Sequence, residues 1–172
     1  SAPSGLPGAR DLARVTSGTY AADPNHTLIG WEVNHFGFND YFGQFGMATG
    51  TLVLDKATPA NSRVDITIPI NSLTAASAGL VRHMSTADFF DVANNPTARF
   101  VSTRVTVDAN DPDEAVIEGN LTIKGVTRPV RLEAEFTGAG TNPMSHNETI
   151  GFEAETTIRR SEFGVAYALP AV

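Results

Sequence analysis

Two sets of side chains in this sequence have the composition of a general acid–base site. His26 stands three residues after Asp23, and His83 is followed by Asp88 and Asp91. A carboxylate that orients an imidazole lets a histidine move a proton near neutral pH. The plainer reading assigns Asp23 and Asp88 to turns and caps and leaves both histidines in local hydrogen bonds, and the sequence favours it. No Gly-x-Ser-x-Gly, His-Glu-x-x-His or phosphate-cradling glycine motif accompanies them. Four histidines without ligand spacing argue against a metal, and the lack of cysteine excludes disulfides and thiol catalysis. Sequons at Asn25, Asn120 and Asn147 would matter only on a eukaryotic secretory route. The expectation is no catalytic residue, no metal and no cofactor.

A second constellation is apolar. Between Asp23 and Phe45 lie six of the fourteen aromatic residues, Trp31, Phe36, Phe38, Tyr41, Phe42 and Phe45. Broken by Gly, Asn and Asp, the run could close a core, line a pocket or form an exposed adhesive surface. The choice depends on the elements that hold it.

Those elements read as strands. Val64, Ile66, Ile68 and Ile70 alternate with Arg63, Asp65, Thr67 and Pro69, a strand with one dry and one wet face. The same period of two runs from Pro129 to Phe136 and from Ile150 to Ile158, and more weakly through 19–22, 28–35, 46–54, 98–107 and 115–124. Turn-forming clusters at 58–61, 110–113 and 138–143 separate them. About eight such strands without long helical patterns between them predict an all-β, antiparallel barrel. One or two short helices are expected between residues 72 and 93, with Ser85 or Thr86 as an N-cap. The length of 172 residues fits one domain, taken as residues 18–172 behind a flexible segment 1–17.

Charge and hydropathy narrow the partners. A net charge of -7 with only 12 Lys and Arg argues against nucleic acid. No apolar run approaches the roughly 20 residues that span a bilayer, so stable membrane insertion is not expected. The small, Pro- and Gly-rich start, SAPSGLPGAR, reads as a mature chain from which an export signal has been removed.

An eight-stranded barrel is either filled by side chains or just wide enough for one small ligand. Patterning leaves both open. Supply favours a cavity, because bulky apolar groups at Met84, Phe89, Phe90, Phe100, Phe152 and Phe163 add to an already adequate strand core. Candidate lining residues are these six together with Trp31, Val33, Phe36, Phe38, Phe42 and Phe45. The aromatics beyond His35 read as the barrel mouth and the turn into the next strand. His35, Asn39 and Arg82, beside those segments, are candidates for holding a head group.

At this point the sequence resembles the YceI-like family of bacterial lipid-binding proteins, from about Gly18 to Tyr167. The resemblance rests on YAADPNHTLIGWEVNH, GQFGMATGTLVLD, HMSTADFFDVANNPTARFVST, GNLTIKGVTRPVRLEAEFTGAG and GFEAETTIRRSEFGV, in that order. The family's three histidines match His26, His35 and His83, its FFDV matches Phe89 to Val92, and its RSDFG matches Arg160 to Gly164 with Glu162 in place of Asp.

The resemblance implies an extended, lipocalin-like antiparallel barrel whose apolar cavity holds a long isoprenoid chain, such as a polyprenyl quinone precursor or polyprenyl phosphate, or a similar amphiphile. It also implies a periplasmic or secreted protein, commonly a homodimer. Family members continue past the position of Val172 with a further strand that closes the barrel, so the expectation here is that this strand is missing after Val172. The leading functional expectation is a carrier or scavenger of one lipid tail. A module docking a partner or its own twin through the aromatic end comes second, and a lipid isomerase or cyclase third.

Overall fold

In the computed structural model, which describes residues 5–167, ten strands form two antiparallel sheets. In chain order these are β1 (Gly18–Ala21), β2 (Ile29–His35), β3 (Asn39–Phe45), β4 (Thr49–Leu54), β5 (Arg63–Pro69), β6 (Thr74–Ala75), β7 (Thr97–Val107), β8 (Glu114–Ile123), β9 (Val126–Thr141) and β10 (Glu148–Glu155). The larger sheet has seven strands in the order β1-β4-β5-β7-β8-β9-β10, and the smaller has three, β2-β3-β6. This nearly closed antiparallel barrel is the predicted fold class, divided into seven strands and an extra sheet rather than eight in one ring.

The register follows from the period of two. Ile66 of β5 faces Phe100 of β7, and Phe100 faces Leu121 of β8. Val130 and Leu132 of β9 then continue the same face opposite Gly119 and Ile117. Between β8 and β9 the turn is only Lys124-Gly125, both at positive φ (51° and 75°). Two left-handed residues match the right-handed twist of the strands they join, so the hairpin can be this short. The large sheet curls, because Leu54 of β4 and Ile150 of β10, five places apart in strand order, both pack on the cluster of Val15, Phe136 and Ala139.

Among the described residues, β1 pairs only with β4 and β10 only with β9. The expectation that a closing strand is missing after Val172 falls outside the described residues. The stretch read as a flexible lead-in is held where it is described. Ala9 bridges Ala139, Arg10 pairs with Asp113 and Glu135, and Val15 is buried in the cluster just named.

Two further expectations are corrected. The segment from 39 to 45, read as part of a mouth and turn, is strand β3 in full register with β2, and the turn is only Phe36-Gly37-Phe38. Its alternation is masked because Gly43 stands where an apolar side chain should be. The Trp31 indole occupies that space, with its Cζ2 2.0 Å from where a Cβ on Gly43 would lie. The single α-helix among the described residues, α1 (Ala78–Met84), is capped by Ser77, whose hydroxyl accepts from the Leu80 N–H, while Ser85 closes its C-terminus. Ser85 and Thr86 therefore end a helix rather than begin one.

On the outer face of the large sheet, Arg99 forks onto Asp65 at 2.9 and 2.6 Å. The hydrogen bonds from Arg99 hold the Asp65 carboxyl below its ordinary range. A carboxyl whose folded pKa lies below its unfolded value adds stability above the unfolded pKa, about 4, and loses it as the pH falls through the folded value. Asp65→Asn is therefore expected to be less stable than the parent near neutrality and to converge with it on acidification. Denaturant titrations across the acid range check this. Both partners are solvent-exposed, so the difference should be small and shrink in high salt.

Candidate functional site

The site candidate is the apolar inner face of the large sheet and the end that the small sheet covers. Val64, Ile66 and Ile68 of β5, Leu121 of β8, Leu132 of β9 and Ile150 of β10 lie on that inner face, and every one is only half-buried. Apolar side chains aligned inward yet left partly accessible make a trough rather than a filled core. Ala98, Phe100 and Val105 of β7 and Ala134 and Phe136 of β9, on the same face, are buried. Phe100 lies over Gly119, where an added Cβ would come within 2.5 Å of its ring.

One end of the trough is packed. Phe45, Ile70, Leu73 and Ala98 form a buried cluster against which Trp31, Met84 and Phe90 lie. Trp31 also stacks on Tyr41, whose hydroxyl accepts the Ser77 N–H at 3.0 Å and so ties the small sheet to the start of α1. A surface cleft of about 330 Å³ opens here along Phe42, Gly43, Gln44, Thr74 and Ala75.

Next to this end three distant segments meet. Phe89 packs against His83 and Tyr167, and Arg160 sits 5.8 Å over the Phe89 ring. Arg160 donates to the Val165 and Tyr167 carbonyls, and burial lowers its guanidinium pKa. Lys124, in the β8–β9 turn, reaches the Ala87 carbonyl at 2.9 Å and the Gly164 carbonyl at 3.4 Å. Phe163, in the 3-10 turn Arg160–Phe163, is 1% exposed and is the largest fully buried side chain among the described residues.

The sequence candidates thus divide. Trp31, Phe45, Met84, Phe90 and Phe100 are gathered at the packed end and along the trough, with Phe89 beside them, while Phe163 is buried in its own turn. Phe152 lies on the inner face of edge strand β10 opposite Phe136, and is half open to solvent. Val33, Phe36, Phe38 and Phe42 are exposed on the β2–β3 hairpin, Phe38 at 83%. The head-group candidates do not converge. His35 and Asn39 flank the hairpin turn as an exposed cross-strand pair, and Arg82 is exposed on α1. Tyr41, Lys124 and Tyr167 are not among the site candidates read from sequence, although Tyr41 belongs to the aromatic run. For Tyr41 the signal exists once β3 is taken as a strand, since it shares a face with Gly43 and Phe45.

The histidine–carboxylate pairs are real but apart from the trough. His26 Nδ1 lies 2.7 Å from Asp23 Oδ2 in an exposed turn where Asp23 also accepts the Asn25 N–H, and that backbone bond lowers its carboxyl pKa most. His83 Nε2 lies 2.7 Å from Asp88 Oδ2, at a partly exposed position. Among the described residues no group of three His, Cys, Asp or Glu gathers as a metal site, and no helix is long and apolar enough to cross a membrane.

Comparison with known proteins agrees with this architecture. A UPF0312 protein of Pectobacterium atrosepticum is 37% identical over 140 residues, covering 81% of this chain and 71% of that protein. Protein YceI of Salmonella arizonae is 36% identical over the same share of each. The crystal structure of a Campylobacter jejuni YCEI protein superposes with a TM-score of 0.64 at 27% identity, covering 84% of this chain and 83% of the other. A polyisoprenoid binding domain from Saccharophagus degradans shares the fold at a TM-score of 0.53 and 12% identity, covering 88% of this chain and 83% of the other. The model of the YceI-like domain matches residues 20–172, and with it the trough, the small sheet and the Arg160–Phe163 turn, so this chain belongs to the YceI-like family.

Proposed function

We propose that the protein binds a long-chain isoprenoid lipid along its apolar trough, and so carries or sequesters a molecule that water would otherwise expel. The carrying observation is the half-buried inner face of β5, β8, β9 and β10. Each methylene withdrawn from water onto such a face is worth about 0.8 kcal/mol, which makes a long tail the ligand that gains most there. Ordering the tail and immobilising the ligand offset much of that gain. The isoprenoid class is chosen because a polyisoprenoid binding domain shares the fold. The net charge of -7 favours a neutral head group, such as a quinone ring, over a phosphate. A periplasmic or secreted location, where lipids must cross water between membranes, fits this role.

Solvent extraction of the protein purified from its native host, followed by mass spectrometry, tests the proposal. A long-chain lipid in stoichiometric amount is expected. A clean extract, from protein that also refuses added polyprenyl quinone and fatty amide, would overturn it.

The exposed hairpin supports a second reading. Phe36, Phe38 and Phe42 stand largely in solvent on one two-stranded projection, and contiguous exposed apolar groups mark docking surfaces. Docking of a partner or a second copy there would appear as concentration-dependent mass with no extractable lipid.

A further inference from the structure

The indole Nε1 of Trp31 is the one buried side-chain polar atom without a hydrogen-bond partner among the described residues. Its surroundings supply no acceptor. The ring lies on the bare backbone of Gly43, stacks on Tyr41 and packs against the apolar cluster of Phe45, Ile70 and Leu73. Leaving a donor buried and unpaired costs about 1–3 kcal/mol, whereas phenylalanine could fill the same space without that penalty. An unpaired group of this kind in a folded protein calls for an explanation, and a ligand or water that supplies the acceptor is among the usual ones. Gly43, directly beneath the indole, lines the cleft along β3 and β6.

We propose that the Trp31 indole N–H is the donor that fixes the polar oxygen of the bound lipid, so that the head group sits against the small sheet and the tail runs along the trough. This rests on the carrier reading and adds to it a polarity and a selection rule. Lipids carrying a carbonyl or hydroxyl oxygen at one end are preferred over hydrocarbons of the same length, because only they satisfy the stranded donor. One well-placed polar group is enough to orient a ligand in an otherwise apolar site. The three polar candidates read from sequence, His35, Asn39 and Arg82, lie exposed and do not share this position.

The chain contains a single tryptophan, so its indole N–H gives one resolved proton–nitrogen resonance. That resonance is followed while a polyprenyl benzoquinone, and separately a polyprenyl hydrocarbon of matched chain length, is titrated into delipidated protein. The quinone is expected to move it downfield in proportion to occupancy, and the hydrocarbon to bind without that shift. Trp31→Phe should weaken quinone binding roughly tenfold more than it weakens hydrocarbon binding. If the quinone binds while the resonance stays in place, the inference is overturned and the carrier reading stands, a result that needs no variant to fold. Equal quinone affinity for a folded Trp31→Phe has the same meaning. If neither lipid binds the parent protein, the carrier reading fails and this inference fails with it.

Discussion

Phe163→Ala is expected to lower the unfolding free energy by about 3–5 kcal/mol, the range for deleting a fully buried aromatic ring. Against the roughly 5–15 kcal/mol that holds an ordinary domain together, this is a large fraction of the total. Phe163 is 1% exposed although it belongs to a four-residue 3-10 turn. The turn can bury it because Gly164 reverses the chain at φ 71°, where a side chain would be strained. Arg160 on the other flank ties the turn to the carbonyls of Val165 and Tyr167, and Lys124 ties it to β8 and β9. Removing the ring therefore leaves a cavity whose walls are braced and cannot easily collapse. Guanidinium unfolding followed by circular dichroism measures the effect. A loss below about 1 kcal/mol would mean that residues 160–167 open separately from the sheets instead of unfolding with them.

The same residues show how far the amino-acid sequence alone reaches. Phe163 is recognisable in it as bulky and apolar, but no local pattern shows that the four-residue turn around it is buried. Phe89, Lys124 and Gly164 are too far apart in sequence for any local period to bring them together. The strands of the large sheet are legible because polar and apolar residues alternate through β5 and through residues 130–136 of β9, and more weakly in β8. Strand β3 is not, because its pattern is completed by a residue on another strand. The Trp31 ring fills the place of the side chain that Gly43 lacks, and a reading that sees one strand at a time meets only a glycine where a hydrophobe is due. Periodicity has a second limit. It shows which way a side chain faces but not whether anything covers that face. Val33 shares the face of Trp31 by alternation, yet it lies farther along a hairpin that extends past its cover and is exposed. Phe36, Phe38 and Phe42 fail as lining for a related reason, since they occupy a tight turn and the outer face of a three-stranded sheet.

Leu132→Asp is expected to weaken lipid binding at least a hundredfold while leaving a folded protein. Leu132 faces Ile117 across β8 and β9, on the same side as Val130, and is half-buried. Because that face is still accessible in the unliganded protein, a carboxylate there keeps much of its hydration. The cost of folding is then the poor strand propensity of Asp, on the order of 1 kcal/mol, together with the apolar area that the leucine had covered. Binding changes the account. A tail laid along the trough would strip water from a charge with no partner, a penalty of several kcal/mol that lowers affinity by a factor of ten for every 1.4 kcal/mol. Aspartate is the informative choice, since a lysine could bury its stem and lift its charge into water. Thr106→Asp supplies the control, with the same charge on the outer face of β7 opposite Val116. It should bind lipid as the parent does. Titration of both variants with a polyprenyl quinone, alongside their thermal midpoints, separates the outcomes. Leu132→Asp that folds and binds normally would place the lipid somewhere other than the trough. Equal losses in both variants would show that the protein responds to added charge anywhere rather than on the face that meets the tail.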